Sequence, residues 1–434
     1  MLPAMSVRRA VSILTIALGA SLLLAQASAV AAGGIDPVSP PNAYTVGNGL
    51  ARSSSHLQVV WATDCPPPSG RCATNSGPYM GVFWQRSKSA GWSAPIRVSP
   101  THVQASRPAV AAAGSDVYAA YVSQTRYLGY QASARRVLSI RASTNEGRTW
   151  NAPQTLSPLR RRVDYPVIAA SGSDAWVVWT DADSGDIRMA STTDDGAHWA
   201  QTVIGSTTSG QGTAEGFRGY PSIGASGSNV AVLWIADAGG RQVALTSSVG
   251  GTDWSGASVP TVLTATSPAD MGHYPGAHGA DDGLSSRVAL AYTTADGLAA
   301  RVFDGATLGP ERIVAGPWPD NTADHHYTGA FGPAVAPFGT ADLAVTWAAC
   351  EQRSGLNNPC QSSSSLARID ILERESTDDG ASWSGGAVNI GPSTASARIN
   401  EAPSIQVDGA GVRSIMWLRR MANWSSYQVV VTQP

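Results

Sequence analysis

The sequence predicts an all-β fold assembled from repeated four-stranded units, and three observations carry that prediction. Short β-branched and aromatic runs recur seven times, and each ends near a tryptophan or tyrosine. These landmarks are spaced 55 to 70 residues apart, which is room for four strands and their turns. Turn residues separate the runs. Such a period is typical of a β-propeller. The landmarks are Trp61, Tyr121, Trp179, Trp234, Tyr292, Trp347 and Trp417.

Each unit repeats the same order of strands. A first strand such as "YPVIAASGSD" (165–174) ends in Gly-Ser-Asp, whose residues tolerate left-handed turns. The landmark strand follows, and "AWVVWT" (175–180) is apolar throughout, which predicts burial on both faces. A third strand such as "DIRMAS" (186–191) and a fourth such as "NAPQTLSP" (151–158) complete the pattern.

The two ends of the chain predict how the units close. After Trp417 a single strand remains, "YQVVVTQP" (427–434), so the last unit lacks its fourth strand. The segment "IDPVSP" (35–40) resembles the fourth strand "IRVSP" (96–100). We therefore predict seven blades, with residues 35–40 completing the last one and closing the ring, which removes exposed sheet edges. Six blades is the alternative, if the loose copy at 274–315 is not a full unit.

Residues 1–32 have the features of a secretory signal peptide. Arg8 and Arg9 precede the apolar run "AVSILTIALGASLLLA", and small residues follow, so cleavage after Ala29 or Ala32 is expected. The run is too short for a confident membrane span, and nothing later resembles one. We expect a secreted, monomeric protein in which residues 33–434 form a single propeller domain.

Charge and cysteine content narrow the function classes. The chain has 29 Lys+Arg against 31 Asp+Glu, and loss of two leader arginines takes the net charge from -2 to -4. This balance argues against non-specific nucleic-acid binding. The cysteines form two close pairs, Cys65 with Cys72 and Cys350 with Cys360, which predicts two disulfides in an exported protein. Zinc is the competing interpretation, but CxxC spacing and a neighbouring histidine are lacking, so no cofactor is expected.

A turn motif of the form S/T-x-D/N-x-G-x-x-W recurs in register with the strands. In the last copy Asp378 can accept hydrogen bonds from turn amides, Gly380 can take a positive φ, and Trp383 can pack on a neighbouring sheet. These roles are structural. Full copies lie at 143–150, 192–199 and 376–383, a degraded copy at 247–254, and shortened turns at 87–92 and 302–306.

This motif resembles the Asp box of sialidases and related bacterial-neuraminidase-repeat propellers. The resemblance implies that the box joins the third and fourth strands on the face opposite the ligand site. Loops from the second to the third strand, and from the fourth strand to the next unit, would then build that site. Those loops carry many of the unusual Arg, Asp, Glu, Tyr and His residues of the chain.

The resemblance also implies a set of functional residues. Sialidases clamp a carboxylate with three arginines and use a tyrosine nucleophile assisted by a glutamate, with an aspartate as acid/base. The family's first arginine lies in a Phe/Tyr-Arg-Ile-Pro motif, where this chain has Tyr44-Thr45-Val46-Gly47; the nearest Arg-Pro is Arg107-Pro108, one unit later. The catalytic candidates are Asp164 as acid, and Tyr220 or Tyr327 with Glu215 or Glu401 as nucleophile pair. The substrate-binding candidates are Arg162, Arg218, His325, His326 and Arg398.

Structural alternatives exist for these candidates. Arg162 belongs to a basic run that can be a solvated loop. Tyr165, Tyr220 and Tyr274 share one repeat position, which favours packing between blades. His325 and His326 lack a clear set of metal partners.

Two functions fit the sequence. The first is a secreted, sialidase-like exo-glycosidase acting on acidic sugars, and the second is a non-catalytic glycan- or protein-binding propeller. The sequence leaves open whether the protein is an enzyme.

Overall fold

The computed structural model divides the chain into two compact parts, Met1–Ala31 and Ala32–Pro434. The first part, with most of the predicted signal peptide, lies outside the described residues. The structure describes residues 35–39, 45–64, 80–89, 91–101, 103–124, 136–157, 162–207, 220–236, 243–249, 251, 254, 261–264, 276–279, 286–294, 296–317, 320–321, 326–351, 368–394, 399–421 and 427–434.

All regular elements within these residues are β-strands, and five separate sheets each contain four antiparallel strands. We number these four-stranded units in chain order. Unit 1 comprises β2 Thr45–Arg52, β3 Leu57–Thr63, β4 Gly81–Arg86 and β5 Ile96–Arg97. Unit 2 comprises β6 Gln104–Ala113, β7 Asp116–Gln124, β8 Val137–Ser143 and β9 Gln154–Thr155. Unit 3 comprises β10 Val163–Ser171, β11 Asp174–Asp181, β12 Asp186–Thr192 and β13 Ala200–Ser206.

Units 4 and 5 complete this group. Unit 5 contains the copy at 274–315, which looks loose in the sequence. It nevertheless forms four paired strands. Unit 4 comprises β14 Ser222–Ser226, β15 Asn229–Ile235, β16 Val243–Val249 and β17 Thr261–Thr264. Unit 5 comprises β18 Gly276–Gly279, β19 Val288–Thr294, β20 Gly297–Phe303 and β21 Arg312–Ala315.

The remaining strands form a nine-stranded sheet. It contains two further units joined by a single parallel pair, Ile369 with Ile399. Unit 6 comprises β23 His326–Phe338, β24 Asp342–Glu351, β25 Ile369–Ser376 and β26 Val388–Gly391, with the short β22 Asp320–Asn321 beside β23. Unit 7 comprises β27 Ile399–Val407, β28 Arg413–Arg420, β29 Tyr427–Thr432 and, from the other end of the described chain, β1 Asp36–Pro37.

The segment near the start of the described chain pairs with its last strand. Asp36 lies opposite Val431 in β1 and β29. The Ser39 hydroxyl accepts a hydrogen bond from the backbone of Val429 at 2.8 Å. The paired strand is two residues long, shorter than the segment 35–40 that the sequence predicts.

The first strands of the units lie next to one another. In order, β2 contacts β6, β6 contacts β10, β10 contacts β14, β14 contacts β18, β18 contacts β23, β23 contacts β27, and β27 contacts β2. The described chain is therefore all-β, with small sheets arranged in a manner consistent with a β-propeller. No helix in the described residues is long and apolar enough to span a membrane.

The aromatic landmarks form the core between the sheets. All seven are fully buried. Trp179 of unit 3 packs among residues of unit 2, and Trp61 of unit 1 packs with Met416 of unit 7. Burial of side chains of this size is a large source of apolar stabilisation, and it explains why one aromatic residue recurs in every second strand.

The box turns, residues 143–150, 192–199 and 376–383, have one hydrogen-bond pattern. In the third, the Asp378 carboxylate accepts from the backbone N–H of Ser382 at 2.7 Å, and the Ser376 hydroxyl accepts from the N–H of Gly380 at 2.8 Å. Asp379 and Gly380 have φ angles of 54° and 81°. The motif thus closes the turn on itself, as its residue types predict.

Each box turn also fastens its unit to the preceding one. Trp150 packs edge-on against Trp84 of unit 1, with ring centroids 5.7 Å apart. Trp199 packs in the same way against Tyr118 of unit 2, at 6.4 Å.

The N–H of Glu146 donates to the carbonyl of Ser115 in the turn between β6 and β7 at 2.8 Å. The box turns therefore lie at the end where the first strands finish, which we call the box end.

Candidate functional site

The first strands share an irregularity near their starts, at what we call the entry end. In units 1, 2, 3, 6 and 7 the pairing register with the second strand slips there. A residue with positive φ occupies this position, and bulges of this kind re-aim side chains. The residues in units 1, 2, 3, 4, 6 and 7 are Gly47, Arg107, Tyr165, Tyr220, Gly332 and Ala402.

Asp164 connects two arginines at the entry end. Its side chain is buried beside Tyr165 in β10, and one carboxylate oxygen pairs with Nη1 of Arg107 from unit 2. The other oxygen lies 3.4 Å from Nη1 of Arg136, which precedes β8. Because the two oxygens face different guanidinium groups, Asp164 fixes both arginines. Its predicted role as catalytic acid remains a prediction, and this geometry supplies a structural role.

Two tyrosines extend this cluster around the entry end. The guanidinium carbon of Arg107 lies 4.1 Å from the centroid of the Tyr165 ring. Tyr165 in turn contacts Tyr220 of unit 4, with centroids 4.4 Å apart and planes at 63°. The packing predicted for Tyr165 and Tyr220 is therefore present, and it continues onto an arginine; Tyr274 lies outside the described residues. The side chains of Arg107, Tyr165 and Tyr220 are half-buried.

Glu401 belongs to a second cluster at the entry end, in unit 7. Burial raises the pKa of Glu401, while Arg420 and a hydrogen bond from Tyr427 act in the opposite direction. The guanidinium carbon of Arg420 lies 5.4 Å from the centroid of the Tyr427 ring. The structure thus brings Glu401 together with a tyrosine that the sequence reasoning did not select. A carboxyl group with a raised pKa beside a phenol can exchange protons with it.

Arg162 pairs with Asp183 of its own unit. Its Nε lies 2.7 Å from Oδ1 of Asp183, and its backbone N–H donates to Oδ2 at 2.8 Å. Asp183 sits in the turn between β11 and β12, so the pair ties the entry of unit 3 to its own second turn. The predicted substrate-binding role stays a prediction.

Several predicted residues can be placed only in part. Tyr327 and His326 lie at the start of β23, the entry end of unit 6, where only their backbone is described. Cys350 is fully buried and disulfide-bonded. The pairings of Cys350 with Cys360 and of Cys65 with Cys72 remain predictions. The candidates that lie outside the described residues are Glu215, Arg218, His325, Arg398, Cys65, Cys72 and Cys360.

Four residues of these clusters were missed by the sequence analysis, namely Arg107, Arg136, Arg420 and Tyr427. A signal existed for Arg107. Arg107-Pro108, Tyr165-Pro166 and Tyr220-Pro221 occupy the same repeat position. Aligning the copies on that proline would have placed the arginine beside the tyrosines. Arg136, Arg420 and Tyr427 carry no such signal, because they lie outside that repeat position.

Cavities follow the line along which the first strands meet. A cavity of about 230 Å³ is lined by residues of β2, β6, β10, β14 and β27, many of them Gly, Ala or Ser. A wider one of about 850 Å³ opens at the box end, among glycines and serines of the turns after the first strands. Arg52 and Asp408 line it and pair with each other at 3.6 Å. Beside Arg107 and Arg136 a void of about 20 Å³ is comparable to one water molecule.

The larger cavity and the clustered charged and aromatic residues therefore lie at opposite ends. The box-end cavity is the larger one, but it presents mainly small side chains. Its two charged side chains, Arg52 and Asp408, pair with each other. Within the described residues, no group of three or more His, Cys, Asp and Glu side chains is arranged to hold a metal ion.

Comparison with known proteins gives structural likenesses only. No family model and no curated protein matches the chain. A solved structure of the Hadza microbial sialidase Hz136 is similar at 12% identity with a TM-score of 0.43, over 71% of this chain and 63% of that one. The match thus spans less than two thirds of that sialidase.

Two other similar structures are matched over nearly their whole length. The α-L-arabinofuranosidase of Fusarium graminearum shares 13% identity over 93% of this chain and 97% of that one, with a TM-score of 0.49. The α-L-arabinanase of Penicillium chrysogenum shares 12% identity over 92% and 95%, with a TM-score of 0.44. Sialidases are thus among the solved structures that resemble this chain. Residue roles rest on the geometry of this chain alone.

Proposed function

We propose that this protein is a secreted, seven-bladed Asp-box propeller that recognises acidic glycans at its entry end. Seven blades are supported by the seven four-stranded units of the described chain. Ring closure is supported by the circuit of contacts among first strands and by the pairing of β1 with β29. Secretion rests on the leader-like sequence of residues 1–32.

The observation that carries the glycan-binding function is the buried Asp164 with Arg107 and Arg136 beside Tyr165. A guanidinium group matches a carboxylate geometrically, and an arginine held in place by a buried acid loses less conformational entropy when it binds one. Half-buried tyrosines next to such arginines suit a ligand that is both anionic and ring-shaped. An acidic sugar combines these two properties.

The first form of the proposal is an exo-glycosidase of the sialidase type. Tyr427 would attack the anomeric carbon while Glu401 accepts its phenolic proton, and Asp164, the predicted acid, would protonate the leaving glycosidic oxygen. Water would then cleave the glycosyl–tyrosine bond, giving one proton to Asp164 while Glu401 returns the phenolic proton, so that the phenol is restored and the sugar is released. Arg107 and Arg136 would hold the carboxylate of the sugar. A tyrosine nucleophile of this kind is a known departure from the two-carboxylate scheme.

The second form is a propeller that binds glycans without cleaving them. It is favoured by Asp164, whose two carboxylate oxygens each face an arginine. A carboxylate whose two oxygens are engaged by two arginines serves to position those side chains, which is what a binding site without proton transfer requires.

A glycan array followed by a panel of fluorogenic glycosides separates the two forms. The purified chain is tested on acidic and neutral glycans, and then on the methylumbelliferyl glycosides of N-acetylneuraminic acid, glucuronic acid and arabinofuranose. Both forms require array binding to acidic glycans that is lost in Arg107→Ala and kept in the exposed box-end control Arg148→Ala. Turnover that disappears in Tyr427→Phe supports the enzyme, and binding without turnover supports the lectin-like form. Absence of binding and turnover would refute the proposal.

A further inference from the structure

The fourth strand of each unit is the outer edge of its sheet, with a neighbouring strand on one side only among the described residues. Such edges can pair with other chains, and proteins protect them with short strands, prolines or charges. Six of the seven outer strands are two to four residues long, namely β1, β5, β9, β17, β21 and β26. The outer strand of unit 3, β13, has seven residues. Unit 3 therefore departs from the pattern of the other units.

The sequence explains why the outer strands of units 1, 2 and 4 are short. A proline stands directly before each of them, at Pro95, Pro153 and Pro260. Proline has no backbone N–H to donate, so strand pairing begins only after it. Strand pairing aligns the first residues of these strands with Thr202 of β13. The residue of unit 3 at the proline position is therefore Gln201, which leaves the strand free to start earlier.

The other outer strands have similar interruptions. Pro310 lies two residues before β21, Gly385 and Gly386 lie just before β26, and Pro37 lies within β1. The corresponding run of unit 3, "AQTVIGST" (200–207), contains no proline and no charged residue. Unit 3 thus lacks the sequence features that protect an edge strand.

The long edge is also exposed. The first four residues of β13 are exposed, and Val203 has 48% of its surface accessible. Arg188 lies opposite Val203 in β12 and pairs with Asp186 at 2.8 Å and with Asp181 at 3.3 Å. The charge nearest the middle of this edge is therefore compensated, and the edge presents an uncharged, partly apolar strand.

We propose that β13 pairs antiparallel with β13 of a second copy of this chain, which joins the two unit 3 sheets across a two-fold axis. A strand that pairs with itself brings each charge close to a like charge, which is unfavourable. The outer strands β5 and β21 contain Arg97 and Arg312, whereas β13 has no such obstacle. Its β-branched residues Thr202 and Val203 also favour strand pairing. This inference is independent of the proposed function and departs from the monomer expected from the sequence.

The pairing leaves the entry end open. β13 runs from the box turn at 192–199 toward the entry end, so antiparallel pairing directs the two entry ends in opposite directions. A single pair of edge strands is smaller than a standard protein interface. We therefore expect a weak dimer, with a dissociation constant on the order of 10 µM.

Sedimentation velocity of the purified chain tests the pairing, at concentrations from about tenfold below to about tenfold above the expected dissociation constant. Gln201→Pro gives unit 3 the proline of units 1, 2 and 4. Val203→Lys places lysines of the two copies near each other. Val388→Lys is the matched control, because Val388 has 51% of its surface accessible and lies in the short outer strand β26. Thermal unfolding shows whether each variant is folded.

We expect the unsubstituted chain to change from monomer to dimer over this range. Gln201→Pro and Val203→Lys should raise the dissociation constant at least tenfold, and Val388→Lys should change it less than about twofold. Hydrogen exchange of the β13 amides should slow as the protein concentration rises, while exchange in β26 stays constant.

A monomer at all concentrations would overturn the proposal. So would a dimer that folded Val203→Lys leaves intact, or one that Val388→Lys weakens equally. If Gln201→Pro does not fold, Val203→Lys and the exchange of the β13 amides decide the question.

Discussion

The indole of Trp84 in unit 1 lies against Gly147 of the box turn in unit 2, so closely that a Cβ atom on Gly147 would overlap its ring. Gly147 has a φ angle of 77°. The same relationship joins Trp176 of unit 3 to Gly251 of unit 4. The glycine of the motif thus serves both the turn and the contact between units.

Replacement of this glycine tests the contact. Gly147→Ala should lower the free energy of unfolding by about 2–4 kcal/mol, because it adds a clash with Trp84 to the cost of a positive φ. Gly114→Ala is the matched control, since Gly114 also has a positive φ but open space around it, and it should cost about 1 kcal/mol. Urea denaturation measures both. Equal losses would show that the indole is not the constraint.

The aspartate of the box turn is expected to stabilise the fold without affecting the ligand. Hydrogen bonds from Ser382 and Ser376 lower the pKa of Asp378, so it acts as an ionised acceptor. Asp378→Ala should lower the melting temperature while glycan binding by the remaining folded protein is unchanged. Thermal unfolding and the array measure the two effects. Loss of binding in a protein that stays folded would contradict the assignment of this face as structural.

Removing the charge of Asp164 should reduce both stability and glycan binding. Asp164→Asn leaves Arg107 and Arg136 without their shared counter-ion, and we expect about 3 kcal/mol of lost stability with at least tenfold weaker binding of acidic glycans. Asp183, which pairs with Arg162, is more exposed than Asp164. Asp183→Asn should therefore lower the free energy of unfolding by less than about 1 kcal/mol and leave binding intact. Denaturation and calorimetry give both quantities, and similar behaviour of the two variants would remove the special role of Asp164.

A pH-dependent contribution to stability is expected from Glu373. Burial raises its pKa to about 7, although Arg413 at 2.9 Å favours the charged form. Between the ordinary carboxyl pKa and this value, the native chain binds more protons than the unfolded chain. The free energy of unfolding should therefore fall as pH rises from about 4.5 to about 7.

The substitution Glu373→Gln removes this titration. The difference in unfolding free energy between the two proteins should change with pH across that window, in favour of the variant at high pH, by at most about 3 kcal/mol. Urea denaturation at pH 5 and pH 8 measures it. Parallel curves for the two proteins would contradict the raised pKa.

The repeat could be predicted from the sequence because the same packing and turn requirements recur from unit to unit. A buried aromatic residue such as Trp179 and a turn glycine such as Gly196 produce fixed, local patterns. These patterns predicted the landmark strand of every unit, including that of the loose copy at 274–315. The short pairing of Asp36 with Val431 was predicted from the missing strand at the other end.

The entry-end cluster around Asp164 was less predictable, because its contacts join different units. Asp164 was selected from the sequence, but its arginine partners Arg107 and Arg136 come from the unit before it. Glu401 was selected with Tyr220 or Tyr327 as its partner, and that pairing stays a prediction; the structure adds a hydrogen bond from Tyr427 on the third strand of the same unit. Residue types indicate which chemistry is available, whereas the pairing of residues depends on how strands and units come together.

The most direct test of the account is a crystal structure of the Tyr427→Phe protein with sialyllactose bound. We expect the sugar carboxylate within hydrogen-bonding distance of Arg107 or Arg136 at the entry end. Ligand density confined to the box-end cavity beside Arg52 and Asp408, with an empty entry end, would contradict the central claim.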